Sequence, residues 1–294
     1  MESNLNNVLI FASVFVALPL VLVLRAFHAP GDARVAAWAG GYGLELTEAN
    51  RPMVVELVDR TRRFRAVGAT MGWVSSGLPL LIGDHLPFGL DNPMLAVHGY
   101  LAGTLVAVLS MGNEPWPTGR RRADLGTRGV EEYLAGWVRE LLWFTTGLAV
   151  VVAAVYVTLS SRPLPRSAEG SAITPGSVVA LVVAAVAVAV ASEVAQRRMV
   201  AQARPLTSPD VVAAHDARRA ASVSAAAGAG AIVVLGALSG VLNDLSWLVN
   251  RGALRWALQL AALGMLLLAV VSFYSATRPE ASWFGRRHTE RSPA

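Results

Sequence analysis

The chain has 294 residues, is 54% hydrophobic and 15% charged, and has a mean hydropathy of +0.49, too apolar for an ordinary soluble protein of this length. Its 25 basic residues are all Arg, its net charge is +5, and Cys is absent. Without Lys there is no Walker-type phosphate Lys, Schiff base or Lys general base; without Cys there is no thiolate metal site, iron–sulfur cluster, covalent haem or thiol redox chemistry.

These constraints imply a membrane protein, in which Arg is placed by topology. No nucleic-acid reading motif accompanies the basic residues, so nucleic acid is not an expected partner. The Arg-only, Ala-, Gly- and Val-heavy usage suggests a GC-rich bacterial genome and hence a bacterial plasma membrane.

A helix crosses the hydrocarbon core with about 20 apolar residues. Seven runs meet or approach that length: Val8 to Leu24, Ala66 to Gly83, Pro93 to Met111, Leu141 to Ser160, Val178 to Val194, Ala221 to Leu242 and Ala253 to Ala276. The first lacks the preceding basic residues and the small-residue cleavage site of a signal peptide, so it reads as an uncleaved span. Gly, Ala and Ser dilute the second and sixth, which carry small-xxx-small pairs, Gly68 with Gly72 and Gly236 with Gly240, and are expected inside the bundle.

Arg crowds alternate connections. Arg25, Arg34, Arg51, Arg60, Arg62, Arg63 and Arg65 lie in the first, Arg120, Arg121, Arg122, Arg128 and Arg139 in the third, and Arg197, Arg198, Arg204, Arg218 and Arg219 in the fifth. By the positive-inside rule the amino terminus is outside and the carboxyl terminus is cytoplasmic.

The cytoplasmic connections have structure of their own. Asn50 before Arg51-Pro52, and Thr207 before Ser208-Pro209, are helix-start signals from which a helix can run on into the next span. On these bases Asp59 can pair with Arg63, and Asp216 with Arg219. Asp59, Arg62, Arg63, Asp216, Arg218 and Arg219 are therefore candidates for a cytoplasmic gate or partner surface. The plainer reading is a solvated helix base, each pair contributing about 0.3 kcal/mol. Ala33 to Gly40 is expected as a surface helix anchored by Trp38, and Thr277 to Ala294 as a polar tail.

The two helix bases belong to a longer correspondence. Pro52 and Pro209, Asp59 and Asp216, Arg62 and Arg219, and Gly83 and Gly240 each differ by 157 in number. Spans one to three and five to seven then form two units of like orientation joined by span four. The fold class is all-α, a polytopic seven-span bundle with a 3+1+3 parallel internal repeat, forming one membrane domain. This layout is similar in topology to the SWEET sugar transporters, without that family's sequence signatures and with a much longer Arg25 to Arg65 connection.

Polar residues gather toward the outer side. His98 and Arg255 also differ by 157, and with Gln259, Asp84, His85 and Asp244 they are candidates for a ligand pocket near the outer face. Arg255 would hold an anionic group and His98 would exchange a proton. Against this, Arg255 can snorkel to headgroups and His98 can bond a neighbouring helix. Asp84, His85, Asp91 and His98 mix carboxylates and imidazoles, but no two His share a helical ligand spacing and HExxH is absent, so no metal is expected.

Glu140 and Glu193, near Arg139 and Arg197, read as interfacial ion pairs. Ala237-Leu238-Ser239-Gly240 approaches the GxSG of rhomboid-type membrane proteases but lacks the first Gly and an evident His base, so no catalytic residue is assigned and no cofactor is expected. The leading expectation is a transporter or transporter-associated protein with a small polar or anionic ligand. The alternative is a non-catalytic scaffold or sensor that binds a cytoplasmic protein or anionic lipid through its Arg-rich cytoplasmic face. Besides these the bilayer itself is the expected partner, and oligomeric state is open.

Overall fold

The computed structural model describes residues 17, 20–21, 23–82, 94–112, 121–122, 129–134, 136–161, 174–202, 204–205, 208–249 and 252–277. They are almost entirely helical, as the apolar periodicity requires. Residues 23–27 end an amino-terminal helix; then come α1 (Asp32–Gly41), α2 (Arg51–Ile82), α3 (Met94–Gly112), α4 (Gly136–Ser160), α5 (Pro175–Ala201), α6 (Pro209–Val249) and α7 (Gly252–Thr277). Arg121–Arg122 and Arg204–Pro205 pair antiparallel, Arg121 opposite Pro205, tying the connection after α3 to the one after α5.

Among the described residues four helices are long and apolar enough to cross a membrane: α4, α5, α6 and the Gly252–Phe273 part of α7. The third expected span appears as the shorter apolar stretch Val97–Met111 of α3. The second is the carboxyl-terminal part of α2, and the first lies largely outside the described residues.

The 41-residue α6 rises about 62 Å, roughly twice the hydrocarbon thickness. Small residues cover its whole circumference, and 78% of its most apolar stretch is buried against α3, α4, α5 and α7. In α7 the same share is 17%, with Trp256, Leu260, Leu267 and Val270 exposed. A helix apolar all round belongs either in the core or in lipid, and these two take the two places.

Burial separates the two small-residue helices. While α6 is central, α2 packs along α3 and leaves Val67, Met71 and Val74 exposed, because its glycines serve one face only. Both helices run without interruption from the polar base into the apolar run, as the start signals imply.

The start of α2 is built differently from an ordinary N-cap. The fully buried Asn50 donates from Nδ2 to the Glu45 carbonyl at 2.8 Å and accepts from the Thr47 N–H at 2.9 Å. It orders the preceding turn, while its own carbonyl accepts the Val54 N–H. In α6 the carbonyl of Ser208 plays that last part, accepting from Val212; Thr207 lies outside the described residues.

Candidate functional site

The packing that creates the main cavity starts with glycine. A Cβ on Gly68 would collide with the Gly99 carbonyl, one on Gly99 with the Gly68 carbonyl, and one on Gly103 with the Phe64 carbonyl. Backbones of α2 and α3 therefore touch directly along Gly68, Gly72, Gly99 and Gly103, the approach that small-xxx-small spacing permits. This crossing sets Arg65 beside α3, where its Nε donates to Thr104 Oγ1 at 3.0 Å and its guanidinium lies 5.3 Å from the Tyr100 ring centre.

On the other side of Arg65 stands α1. Its carboxyl end closes with Gly43 at φ +61°, the Leu44 N–H on the Ala39 carbonyl and the Gly43 N–H on the Gly40 carbonyl, a glycine-dependent Schellman stop. Tyr42 is thereby fixed inward, 4.8 Å from Trp38 between ring centres. Burial pushes its phenol up to about 12, with the Arg65 charge opposing. Tyr42 stays a neutral hydroxyl through the physiological range.

Between the amino-terminal helix, α1, α2, α3 and α6 lies a cavity of about 590 Å³. Arg25, Arg34, Arg62 and Arg65 line it, with Tyr42, Tyr100, Thr61 and Ser222 as further polar groups. No carboxylate lines it among the described residues, and Leu57, Val58, Ala69, Val108, Met111 and Ala225 supply apolar wall. Arg62 donates to the Ala26 carbonyl at 2.9 Å and meets Asp59 at 3.4 Å, but its buried Nε has no partner among the described residues. The Oγ of Ser222, a residue only 2% exposed, also has none.

The chain matches no family model, no curated protein and no solved structure. Function is therefore argued from the geometry alone.

The residues singled out on the two helix bases take parallel parts. Asp59 holds Arg62 and, at 2.6 Å, Arg63, whose guanidinium also lies over Phe27. Asp216 meets Arg219 at 3.5 Å. Arg62 donates to Ala26, at the end of the amino-terminal helix, and Arg219 donates to Gln202, the residue closing α5. Each arginine thus caps the carbonyl end of an earlier helix, Arg62 that of the amino-terminal helix and Arg219 that of α5, where a cation is favoured. Arg218 does the same for α3, donating to the Met111 carbonyl at 3.1 Å.

At the opposite end the outer candidates are spread out. Half-buried His98 faces α6 at Gly236, where an added Cβ would meet its Nε2 at 3.2 Å. Arg255 lies over the Trp247 ring at 3.7 Å. Gly236 and Trp247 are eleven residues apart on α6, about 16 Å of rise, so His98 and Arg255 do not converge. Gln259 and Asp244 are half-buried, on α7 and near the end of α6. Asp84 and His85, like Asp91, lie outside the described residues.

Other readings resolve locally. Glu193 binds Arg139 at 2.7 Å and Arg197 at 2.8 Å, an ion-pair cluster between α4 and α5 that Arg139 extends to Glu131, whereas Glu140 is exposed. Ser239 is buried and donates to the Ala262 carbonyl of α7 at 2.8 Å, a helix-to-helix tie. Among the functional residues, Arg62 was singled out by sequence reasoning, while Arg25, Arg34, Arg65 and Ser222 were not. Their signal, for the arginines, was the crowding of seven Arg into the first connection, which topology alone also explains.

Proposed function

We propose that the chain is a seven-span protein of a bacterial plasma membrane, amino terminus outside, whose Arg-rich cytoplasmic end binds an anionic ligand or lipid headgroup. The observation that carries this reading is the cavity, with four arginines and no acidic lining residue among those described. Guanidinium groups recognise carboxylate and phosphate, and a net positive, partly desolvated pocket costs stability until an anion enters. The cavity favours a scaffold or sensor that responds to an anionic ligand over a carrier with an outer pocket, since the outer candidates stand apart.

A parallel duplication would explain why two helix bases share one design. It is supported by the tight α2–α3 and α6–α7 hairpins, whose helices start within a residue of the 157 offset, and by the matching caps of Arg62 and Arg219. The test is lipid retention from nanodiscs that mix zwitterionic and anionic lipids. The protein is expected to keep anionic lipid selectively, with retention falling as salt rises. Equal retention of both lipid classes at low salt would reject the reading.

A further inference from the structure

We infer that the cavity is a site for a phosphate monoester carrying an apolar chain, with the phosphate held by Arg62, Arg65 and Ser222 and the chain lying against Val58, Ala69 and Ala225. This rests on the anionic-ligand reading above and narrows it to one chemistry.

Charge points to phosphate. Four guanidinium groups line the cavity, no carboxylate lines it among the described residues, and Asp59, which pairs with Arg62, is shared with Arg63. A monocarboxylate would neutralise one of the four. A phosphate monoester brings about −1.5 to −2 charge and three acceptor oxygens, enough to take donors from more than one side.

Unmet hydrogen bonds point the same way. Buried polar atoms nearly always have partners, and two that lack one among the described residues, Arg62 Nε and Ser222 Oγ, belong to residues lining this cavity on different helices. Arg62 offers an N–H and Ser222 an O–H, so an acceptor-rich group satisfies both. Arg65 uses its Nε on Thr104 and has no carboxylate partner among the described residues, which leaves the rest of its fork available.

Size and wall composition distinguish an amphiphile from the free ion. A cavity of about 590 Å³ lies in the range that accepts a drug-sized molecule, far more than inorganic phosphate fills. Free phosphate would leave water against Leu57, Val58, Ala69 and Ala225. A chain there removes that wall from water while its head meets the arginines.

The test uses full-length protein in phosphatidylcholine nanodiscs containing equal phosphatidic acid and phosphatidylglycerol, with retained lipid quantified after extraction. Phosphatidic acid, the monoester, is expected to be retained over the diester phosphatidylglycerol. Ser222→Ala removes an oxygen that has no partner among the described residues, so the fold is kept, and is expected to weaken retention roughly tenfold. Ala69→Leu fills the apolar wall and is expected to weaken it as well, whereas Arg198→Gln, exposed at the same end but outside the cavity, is expected to leave it unchanged.

If both cavity variants retain phosphatidic acid as the wild type does while Arg198→Gln weakens it, surface charge does the binding; the cavity site is then wrong and the anionic reading stands. No preference for either anionic lipid over phosphatidylcholine rejects both. In a parallel arm inorganic phosphate is added as competitor. Displacement of the lipid by phosphate at matched concentration would make the free ion the ligand and overturn the apolar-chain assignment.

Discussion

Arg62 and Arg219 each stand three residues after an aspartate and each cap a preceding helix, yet burial gives their aspartates unequal weight. The Asp216 and Arg219 side chains are 4% and 3% exposed; those of Asp59 and Arg62 are 18% and 20%. Removing one partner of a fully desolvated pair leaves a buried charge, which costs about 3 kcal/mol or more, while a pair near water is worth under about 1 kcal/mol. Asp216→Ala is therefore expected to lower the thermal midpoint in detergent far more than Asp59→Ala. Equal losses would mean that water reaches Arg219. Tyr42 offers a second check. Its pKa is raised from 10.0 to about 12 by burial, so its neutral form stabilises the fold fully below pH 10, and that contribution is lost as pH rises toward 12. In an ultraviolet titration, Tyr42→Phe should remove a tyrosine ionisation near pH 12 from the wild-type curve. A wild-type curve finished near pH 10 would contradict the buried placement.

Helix contacts depend on which helix a pattern meets, and the glycines make this concrete. Gly68 and Gly72 signalled a close approach, and their backbone meets Gly99 and Gly103 of α3. Gly236 and Gly240 carry the same spacing, yet they face the side chains of His98 and Leu181. Spacing fixes which residues share a face; the partner comes from packing across the whole bundle. Gly99→Ala is expected to destabilise by about 1–3 kcal/mol, since its methyl would strike a carbonyl of α2 that no rotamer change can move. Gly264→Ala is the control: nothing lies near its added Cβ, and alanine favours a helix interior by up to about 1 kcal/mol over glycine. Thermal midpoints that fall alike in both variants would remove the crossing as the reason for the first. Continuity was more legible than contact: Asn50-Arg51-Pro52 and Ser208-Pro209 announced helices that run unbroken for 32 and 41 residues, because start signals act locally.

At the scale of the molecule the cavity was not legible because its donors come from separate segments. Arg25, Arg34, Arg62 and Ser222 lie on four helices, and only the folding of α1 back over α2 sets them around one space. In sequence they read as topology signals and, for Ser222, as dilution of an apolar run. The same ambiguity makes orientation the decisive property, since a cytoplasmic ligand can reach the arginines only if their end of the bundle faces inward. The cysteine-free chain permits a direct measurement. Arg198, exposed near the end of α5, and Gly252, exposed at the start of α7, mark opposite ends of the bundle. With single cysteines in intact cells, an impermeant thiol reagent is expected to label Gly252→Cys, and Arg198→Cys only after permeabilisation. The reverse pattern would turn the arginine end outward, against the positive-inside rule, and the ligand would then have to come from the outer leaflet or the external medium. Labelling of both sites in intact cells would mean that the bundle does not separate them across a bilayer, and the seven-span arrangement would fail with it.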